Sequence, residues 1–242
     1  MSWHIRPEPE ELLSRAALFR VLALCFAYPE EGLKGRVARE LIALRNRNRH
    51  SGKLLSTSLL CAWRETDDAG LAAEYVRLFC GSGPCSLHET SYGDGRRMNG
   101  RPVELADISG FYSAFGLQPS TDNPDLPDSL TTELEFYSLL LVKLAYAITH
   151  NLHDPRRVTE RAIALFLEQH LGRWAGAFAN AVLEHARVPA FRESARAVRA
   201  AVVQECERWR ARPLPVEGRM PFDEMQADEF ICPREGAQET QI

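Results

Sequence analysis

Apolar residues recur at intervals of three and four along almost the whole chain, which is the spacing of an amphipathic helix. No stretch combines sustained apolar and polar alternation with enrichment in β-branched residues, as a half-buried strand would. We therefore predict an all-α fold, a single-domain helical bundle without strands. The predicted helices cover roughly residues 10–28, 32–44, 53–63, 67–79, 104–115, 129–148, 154–182 (as one helix bent near Gly172 or Gly176, or as a pair) and 189–209.

Two irregular segments interrupt this helical pattern. Residues 80–101 contain glycine at five positions together with Pro84, which is too many turn residues for regular structure. The second segment, residues 118–128, ends at Pro127-Asp128, and either Asp128 or Ser129 is expected to cap the next helix. Long loops without secondary structure of their own are commonly functional, so we expect residues 80–101 to lie at the surface and to carry function.

The size and the charge distribution suggest one domain followed by a tail. The 242 residues fit one large domain or two small ones. We predict a helical domain over residues 1–212, and a linker with a disordered acidic tail over residues 213–242. Residues 222–242 contain six acidic side chains and one arginine. Two interpretations stay open for this tail: it folds back over a site for a basic peptide, or it is simply solvated.

Several classes of protein are disfavoured by composition. A formal net charge of −4, without a basic stripe, argues against a nucleic-acid partner. No apolar run approaches the ~20 residues of a membrane span, and the amino terminus lacks the pattern of a secretory signal. We expect a cytoplasmic protein with no stable membrane insertion, whose six cysteines are free thiols. Both a monomer and a dimer fit the sequence.

Cys80, Cys85 and His88 offer an alternative, a small metal-binding enzyme or redox protein. Thiolates and imidazole are zinc ligands, but a structural site needs a fourth ligand, and the spacing of the two cysteines does not suit the usual short knuckle. The interpretation that we favour is two loop cysteines and a surface histidine. We predict no metal, no cofactor and no catalytic residue.

The two irregular segments and their flanking helices could border one groove. Its apolar floor would consist of Tyr75, Leu78, Phe79 and Leu126, and its negative rim of Glu89, Asp125, Asp128 and Glu133. Such a groove suits a peptide that carries arginines beside an apolar stretch. In the simpler interpretation, Leu78 and Phe79 are ordinary core residues and the acids cap and stabilise a helix start.

Five motifs follow one another between residues 74 and 174. They are Glu74-Tyr75-x-x-Leu78-Phe79, His88-Glu89-Thr90-Ser91-Tyr92-Gly93, Ala106-Asp107-Ile108-x-Gly110-Phe111-Tyr112-x-Ala114-Phe115-Gly116-Leu117, Pro127-Asp128-x-Leu130-x-x-Glu133-Leu134-Glu135-Phe136 and Phe166-Leu167-x-x-His170-Leu171-x-x-Trp174. Their order and spacing resemble the TorD/DmsD/NarJ family of cytoplasmic redox-enzyme maturation chaperones. The loop with Cys85 is most similar to the branch that serves periplasmic enzymes such as the dimethyl sulfide, ethylbenzene, selenate and chlorate molybdoenzymes.

The resemblance implies a chaperone without catalytic turnover. It would bind the twin-arginine leader and the apo catalytic subunit of a molybdopterin oxidoreductase, and delay export until the molybdenum cofactor is inserted. The peptide-binding positions that the family motifs place on this chain are Tyr75, Leu78, Phe79, Glu89, Tyr92, Asp128 and Glu133. Ser129 stands where the family commonly has histidine, which argues against any role that needs an imidazole there.

Overall fold

The computed structural model describes residues 7–47, 57–93, 101–118 and 126–216, and these residues form nine α-helices and one 3-10 turn. The α-helices are α1 (Pro9–Leu24), α2 (Leu33–Arg47), α3 (Thr57–Glu65), α4 (Asp68–Phe79), α5 (Arg101–Ala114), α6 (Leu130–Thr149), α7 (His153–Gln169), α8 (Leu171–His185) and α9 (Pro189–Trp209). The 3-10 turn spans Glu89–Ser91. Within the described ranges no strand forms, so the predicted single-domain, all-α class is confirmed.

The centre of the bundle is the long helix α6, along which α1 packs. Leu134, Leu140 and Leu141 of α6 have no exposed surface, and the ring of Tyr137 lies 4.5 Å from that of Phe19 in α1. Helix α7 packs on α6 and α8, α8 packs on α9, and α3 covers another part of α9. Burial of these apolar faces, at about 25 cal/mol per Å², is what holds the helices together.

An aromatic cluster joins four helices at one end of the bundle. Phe26, just beyond α1, lies 5.1 Å from Phe178 of α8 and 6.1 Å from Phe79 of α4. Phe191 of α9 completes the cluster at 5.6 Å from Phe79. The motif helix α4 is therefore anchored to the core through its last turn.

Several helix boundaries depart from the predictions; α5, for example, starts at Arg101 rather than at residue 104. Helix α1 ends at Leu24 rather than Tyr28, because the chain tightens into a turn in which the Phe26 amide donates to the carbonyl of Ala23. Helix α7 starts at His153, one residue before the predicted start at residue 154. Of the two alternatives for residues 154–182, the pair of helices is what forms: His170, with φ of −126° and ψ of −102°, separates α7 from α8, and α8 is continuous through Gly172 and Gly176.

Beyond α9 the chain folds back across the bundle. Arg210 adopts the left-handed conformation at φ 53°, and residues 211–216 then run to the start of α8, where the Val216 amide donates to the Arg173 carbonyl at 3.1 Å. The side chain of Val216 lies directly over Gly93: a Cβ added to Gly93 would approach Val216 Cγ1 to 2.5 Å. Of the predicted linker and tail over residues 213–242, residues 217–242 lie outside the described residues, as do the predicted helix start at 53–56 and Asp125.

None of the helices within these described stretches has the length and the apolar character needed to cross a bilayer.

Candidate functional site

The two irregular segments meet, as the sequence predicts, and we call residues 85–92 together with 126–130 the connector junction. His88 and Ser129 pair in extended conformation. On either side, the Glu89 amide donates to the Asp128 carbonyl at 2.9 Å and the Leu130 amide donates to the Leu87 carbonyl at 2.8 Å. These backbone bonds fix the turn at 89–91 against the start of α6.

Asp128 organises this junction from within. It has no exposed surface, and its carboxylate accepts hydrogen bonds from the Thr90 hydroxyl at 2.6 Å and the Thr90 amide at 3.3 Å. His88 Nδ1 lies 3.2 Å from the other oxygen. Burial alone would raise the pKa of Asp128, but the hydrogen bonds from His88 and Thr90 outweigh it and hold the pKa below its ordinary value. The cap of α6 is Ser129, whose hydroxyl accepts from the Thr132 amide.

Glu89 is tied to the break between α7 and α8. Its side chain is buried, and its Oε2 lies 3.1 Å from His170 Nδ1. His170 Nε2 in turn lies 3.3 Å from the carboxylate of Asp107 in α5, which is 60% exposed. The roles of His170 and Asp107 were missed in the sequence, although both stand inside motifs that carry the family resemblance.

Glu133 is the most deeply buried acid of the group. Its Oε2 accepts a hydrogen bond from the indole of Trp174 at 3.1 Å, and it has no exposed surface. Burial and the charge of Glu89 raise the pKa of Glu133 well above its ordinary value, despite the hydrogen bond from Trp174. An ionised Glu133 would leave Oε1 without a donor, whereas a protonated Oε1 can donate to Glu89. Glu133 therefore keeps its proton to a higher pH than an ordinary glutamate.

This raised pKa predicts how Glu133→Gln changes the pH dependence of stability. Above the unfolded-state pKa, the unfolded chain releases the Glu133 proton while the folded chain keeps it, so this group makes the protein less stable as pH rises. Glutamine carries no such proton and can still donate to Glu89. The free energy of unfolding of the variant should therefore rise relative to that of the native protein as the pH increases above about 5, by at most ~1.4 kcal/mol per pH unit.

Urea unfolding at several pH values measures this difference. Glu168→Gln is the control, because it makes the same chemical change at an exposed carboxylate of α7. Parallel stability curves for the native protein and the Glu133 variant would contradict a proton held on Glu133.

The aromatic residues of α4 form a partly exposed surface. Tyr75 and Phe79 are half-buried with ring centroids 5.1 Å apart, and Tyr75 lies 5.3 Å from Tyr28, which is 53% exposed. Leu78 has no exposed surface. Of the expected apolar floor, therefore, Leu78 is core, and Tyr28, Tyr75 and Phe79 form what we call the aromatic ridge.

A line of rings connects the aromatic ridge with the connector junction. Tyr92, 2% exposed, lies 5.3 Å from Trp174, which lies 5.8 Å from Phe178 and donates to Glu133. Phe178 stacks near Phe79 at 6.3 Å. The junction and the ridge are thus parts of one packed unit.

The expectation of an exposed negative rim is wrong for the three acids that the structure describes. Glu89 and Asp128 are 4% and 0% exposed, and Glu133 is 0% exposed. Each is covered because a partner distant in sequence packs over it: His170, Thr90 and Trp174, respectively. Hence these carboxyls hold the site together from inside, whereas Asp107 is an acid at the junction that does face solvent.

The alternative metal site at Cys80, Cys85 and His88 gains no support. Cys80 is exposed whereas Cys85 is buried, 1% exposed. Across the described part of the chain, no group of three or more His, Cys, Asp or Glu side chains has an arrangement that could hold a metal ion.

Comparison with known proteins agrees with this architecture. A perchlorate reductase assembly chaperone of Dechloromonas aromatica is 37% identical over 78 residues, which are 32% of this chain and 34% of that protein. A chlorate reductase assembly chaperone of Ideonella dechloratans is 32% identical over 125 residues, 47% of this chain and 63% of the relative. A selenate reductase assembly chaperone of Thauera selenatis is 36% identical over 108 residues, which are 43% of this chain and 53% of the relative. Each match spans less than two thirds of the relative.

A solved structure of a candidate redox enzyme maturation protein from Archaeoglobus fulgidus superposes with a TM-score of 0.50 at 21% identity. The match covers 82% of this chain and 96% of the other, and it shows a shared fold.

The three relatives are named as assembly chaperones rather than catalysts, in keeping with the non-catalytic class that the motifs predict. Their names, which include chlorate and selenate reductase, match the chaperone branch to which the loop with Cys85 is most similar. A family model, the nitrate reductase delta subunit, matches residues 46–180, more than half of the chain. The chain therefore belongs to the nitrate reductase delta subunit family, which confirms its resemblance to the NarJ-type chaperones.

Proposed function

We propose that this chain is a maturation chaperone for the apo catalytic subunit of a molybdopterin oxidoreductase. It binds the twin-arginine leader of that subunit in the cytoplasm, assists insertion of the cofactor and delays export until assembly is complete. The family membership and the names of the three relatives support the assembly role. The chain itself performs no catalysis.

The observation that carries the leader-binding part is the aromatic ridge beside a fixed connector junction. Tyr75 and Phe79 offer partly exposed rings on α4, and Tyr28 adds a third ring from the turn after α1. Such rings can bury the apolar stretch of a leader at little cost in conformational entropy. Asp107 supplies an exposed carboxylate on the junction side, where His170 holds it. Exposed ion pairs contribute about 0–1 kcal/mol each, so the aromatic surface supplies most of the affinity and the charge supplies selectivity.

The seven predicted binding positions accordingly take two roles in the proposal. Tyr75 and Phe79 contact the peptide. The buried members, which hold the ridge and the connector junction in place, are Leu78, Glu89, Tyr92, Asp128 and Glu133.

Tyr75→Ala and Phe79→Ala are expected to weaken leader binding by about tenfold or more each. Burial of an aromatic side chain contributes about 1.5–3 kcal/mol, and 1.4 kcal/mol corresponds to a factor of ten in Kd. The measurement is calorimetric titration with a synthetic peptide that has two adjacent arginines followed by about 12 apolar residues. Tyr146→Ala is the matched control, because Tyr146 is a 60% exposed tyrosine on α6. Thermal melts establish that each variant is folded at the titration temperature.

The same titration separates affinity from selectivity. Replacing the apolar stretch of the peptide by serine and glycine should abolish most binding, whereas replacing both arginines by glutamine should reduce it less. The reverse order would contradict the role of the ridge, as would equal losses in Tyr75→Ala and Tyr146→Ala. Co-purification from cells, with identification of the bound subunit, tests the client and reports whether the chaperone acts as a monomer or a dimer.

A further inference from the structure

A second concave surface lies between α8 and α9, and we call it the α8/α9 groove. Its volume is about 820 Å³, and residues 211–216 close one side of it. Cavities of about 300–1,000 Å³ are typical of ligand sites. None of the seven proposed leader-site residues lines the groove. It is therefore a separate surface.

The floor of the groove is apolar and open. Gly176, Ala177 and Ala181 of α8 face Val202 and Val203 of α9. A Cβ added to Gly176 would meet nothing within 4 Å, and Val203 is 51% exposed. Small side chains on one wall thus leave room for larger apolar side chains from elsewhere.

The border of the groove is positively charged. It carries four arginines, Arg173, Arg199, Arg210 and Arg212, against two acids, Glu184 and Glu207. With His185 neutral, four positive and two negative charges leave an excess of two positive charges. Arg199 is oriented along the groove by a hydrogen bond to Asn180 Oδ1 at 2.9 Å. The preferred occupant is therefore a polypeptide segment with both apolar and acidic side chains.

Such a segment follows in this same chain. Residues 222–231 read Phe-Asp-Glu-Met-Gln-Ala-Asp-Glu-Phe-Ile, four acids among four large apolar residues. Their tether begins at Val216, whose amide is bonded to Arg173 at the edge of the groove. Five residues lie between Val216 and Phe222, so the two are six positions apart and at most about 20 Å from each other when the chain is extended. So short a tether raises the effective concentration at the groove to the millimolar range.

We propose that residues 222–231 dock in the α8/α9 groove, with Phe222 and Phe230 on the apolar floor and the acid pairs Asp223-Glu224 and Asp228-Glu229 against the arginines. The occupant is thus a segment of this chain, in a place away from the leader site. The docking is independent of the proposed chaperone role.

Cross-linking to Cys232, which directly follows the docking segment, tests this placement in the full-length protein. The background carries Cys61→Ser and Cys80→Ser, which remove two exposed thiols, while Cys25 and Cys85 are buried. Burial and the neighbouring Glu205 raise the pKa of Cys206 to about 11, so its thiol reacts slowly at neutral pH. V203C places a reactive thiol in the groove. V158C is the matched control, because Val158 is a 60% exposed valine on α7 that does not line the groove.

With a short bismaleimide, Cys232 should cross-link to the thiol of V203C at least about tenfold faster than to that of V158C. Tryptic mass spectrometry identifies the linked pair. Neutralising the acids with D223N, E224Q, D228N and E229Q should remove the difference, and high salt should reduce it.

Equal rates in V203C and V158C would overturn the proposal. Cross-links found only between two chains would also overturn it, in favour of a second copy as the occupant. A rate difference that survives neutralisation of all four acids would overturn the role assigned to the arginines.

Discussion

Glu205→Gln is expected to lower the free energy of unfolding by about 3–5 kcal/mol, because it leaves the buried guanidinium of Arg15 without its buried counter-charge. The other carboxylate near Arg15, that of Glu11 at 3.8 Å, is 40% exposed. Arg15 of α1 and Glu205 of α9 are 4% and 3% exposed. Arg15 Nε donates to Glu205 Oε1 at 2.8 Å, and Arg15 Nη2 forms a second bond to Oε2. The same carboxylate accepts from the Tyr137 hydroxyl at 2.6 Å and the Trp209 indole at 3.1 Å. One carboxylate of α9 thus joins α1, α6 and the end of α9 itself.

Urea or thermal unfolding measures the loss. Asp154→Asn is the control, since it breaks an ion pair with Arg157 whose side chains are 84% and 80% exposed, and it should cost less than about 1 kcal/mol. The double variant Arg15→Met, Glu205→Gln removes the stranded charge and should recover part of the stability. If the double variant instead loses the sum of the two single losses, the uncompensated charge is not the cause.

Gly172→Ala is expected to destabilise the protein by about 3 kcal/mol, at the upper end of the cost of overpacking. A Cβ at this position would lie 2.2 Å from the Leu167 carbonyl oxygen and 3.1 Å from Cys206 Sγ. The first contact is with backbone of α7 just before the break at His170, and it can be relieved only by moving one helix relative to the other.

Gly176→Ala, one turn further along the same helix, should have the opposite sign. Nothing lies within 4 Å of its added Cβ, so the variant gains about 0.5–1 kcal/mol from the better helix propensity of alanine. Chemical unfolding of the two variants side by side checks both values. Equal effects would show that helix propensity, and not the close approach of α7, decides the outcome at Gly172.

The parts of the fold that were predicted well are those set by local signals. Helix α9 begins at Pro189 and ends at Trp209, as predicted, because proline suits the first turn of a helix. The end of α1 was placed four residues too late for a physical reason: the turn after Leu24 keeps Phe26 fully buried, so the apolar spacing continues beyond the helix. Apolar spacing in a sequence follows burial, and here buried residues continue beyond the end of the helix.

The meeting of the two connectors was predicted from the sequence, but the burial of the acids at this junction was not. The meeting of the two connectors follows from the helices that they join. The burial of Asp128 and Glu133 depends on Thr90 and Trp174, which are 38 and 41 residues away in sequence. Acids at a helix start are usually solvated, and no local sequence pattern shows that Trp174 of α8 covers the carboxyl of Glu133. The ion pair of Arg15 with Glu205, 190 residues apart, was not predicted for the same reason.

The contact of Val216 with Gly93 joins the end of the described chain to the loop that forms the turn at 89–91. Gly93 holds a φ of 61°, so no ordinary side chain can take its place without strain, and the valine fills the space above it. Any ligand that lifts residues 211–216 off α8 also uncovers this glycine. If the affinity of a peptide for the turn depends on whether residues 211–216 cover Gly93, then thermodynamic reciprocity requires that the peptide change the affinity of residues 211–216 for the bundle by the same factor.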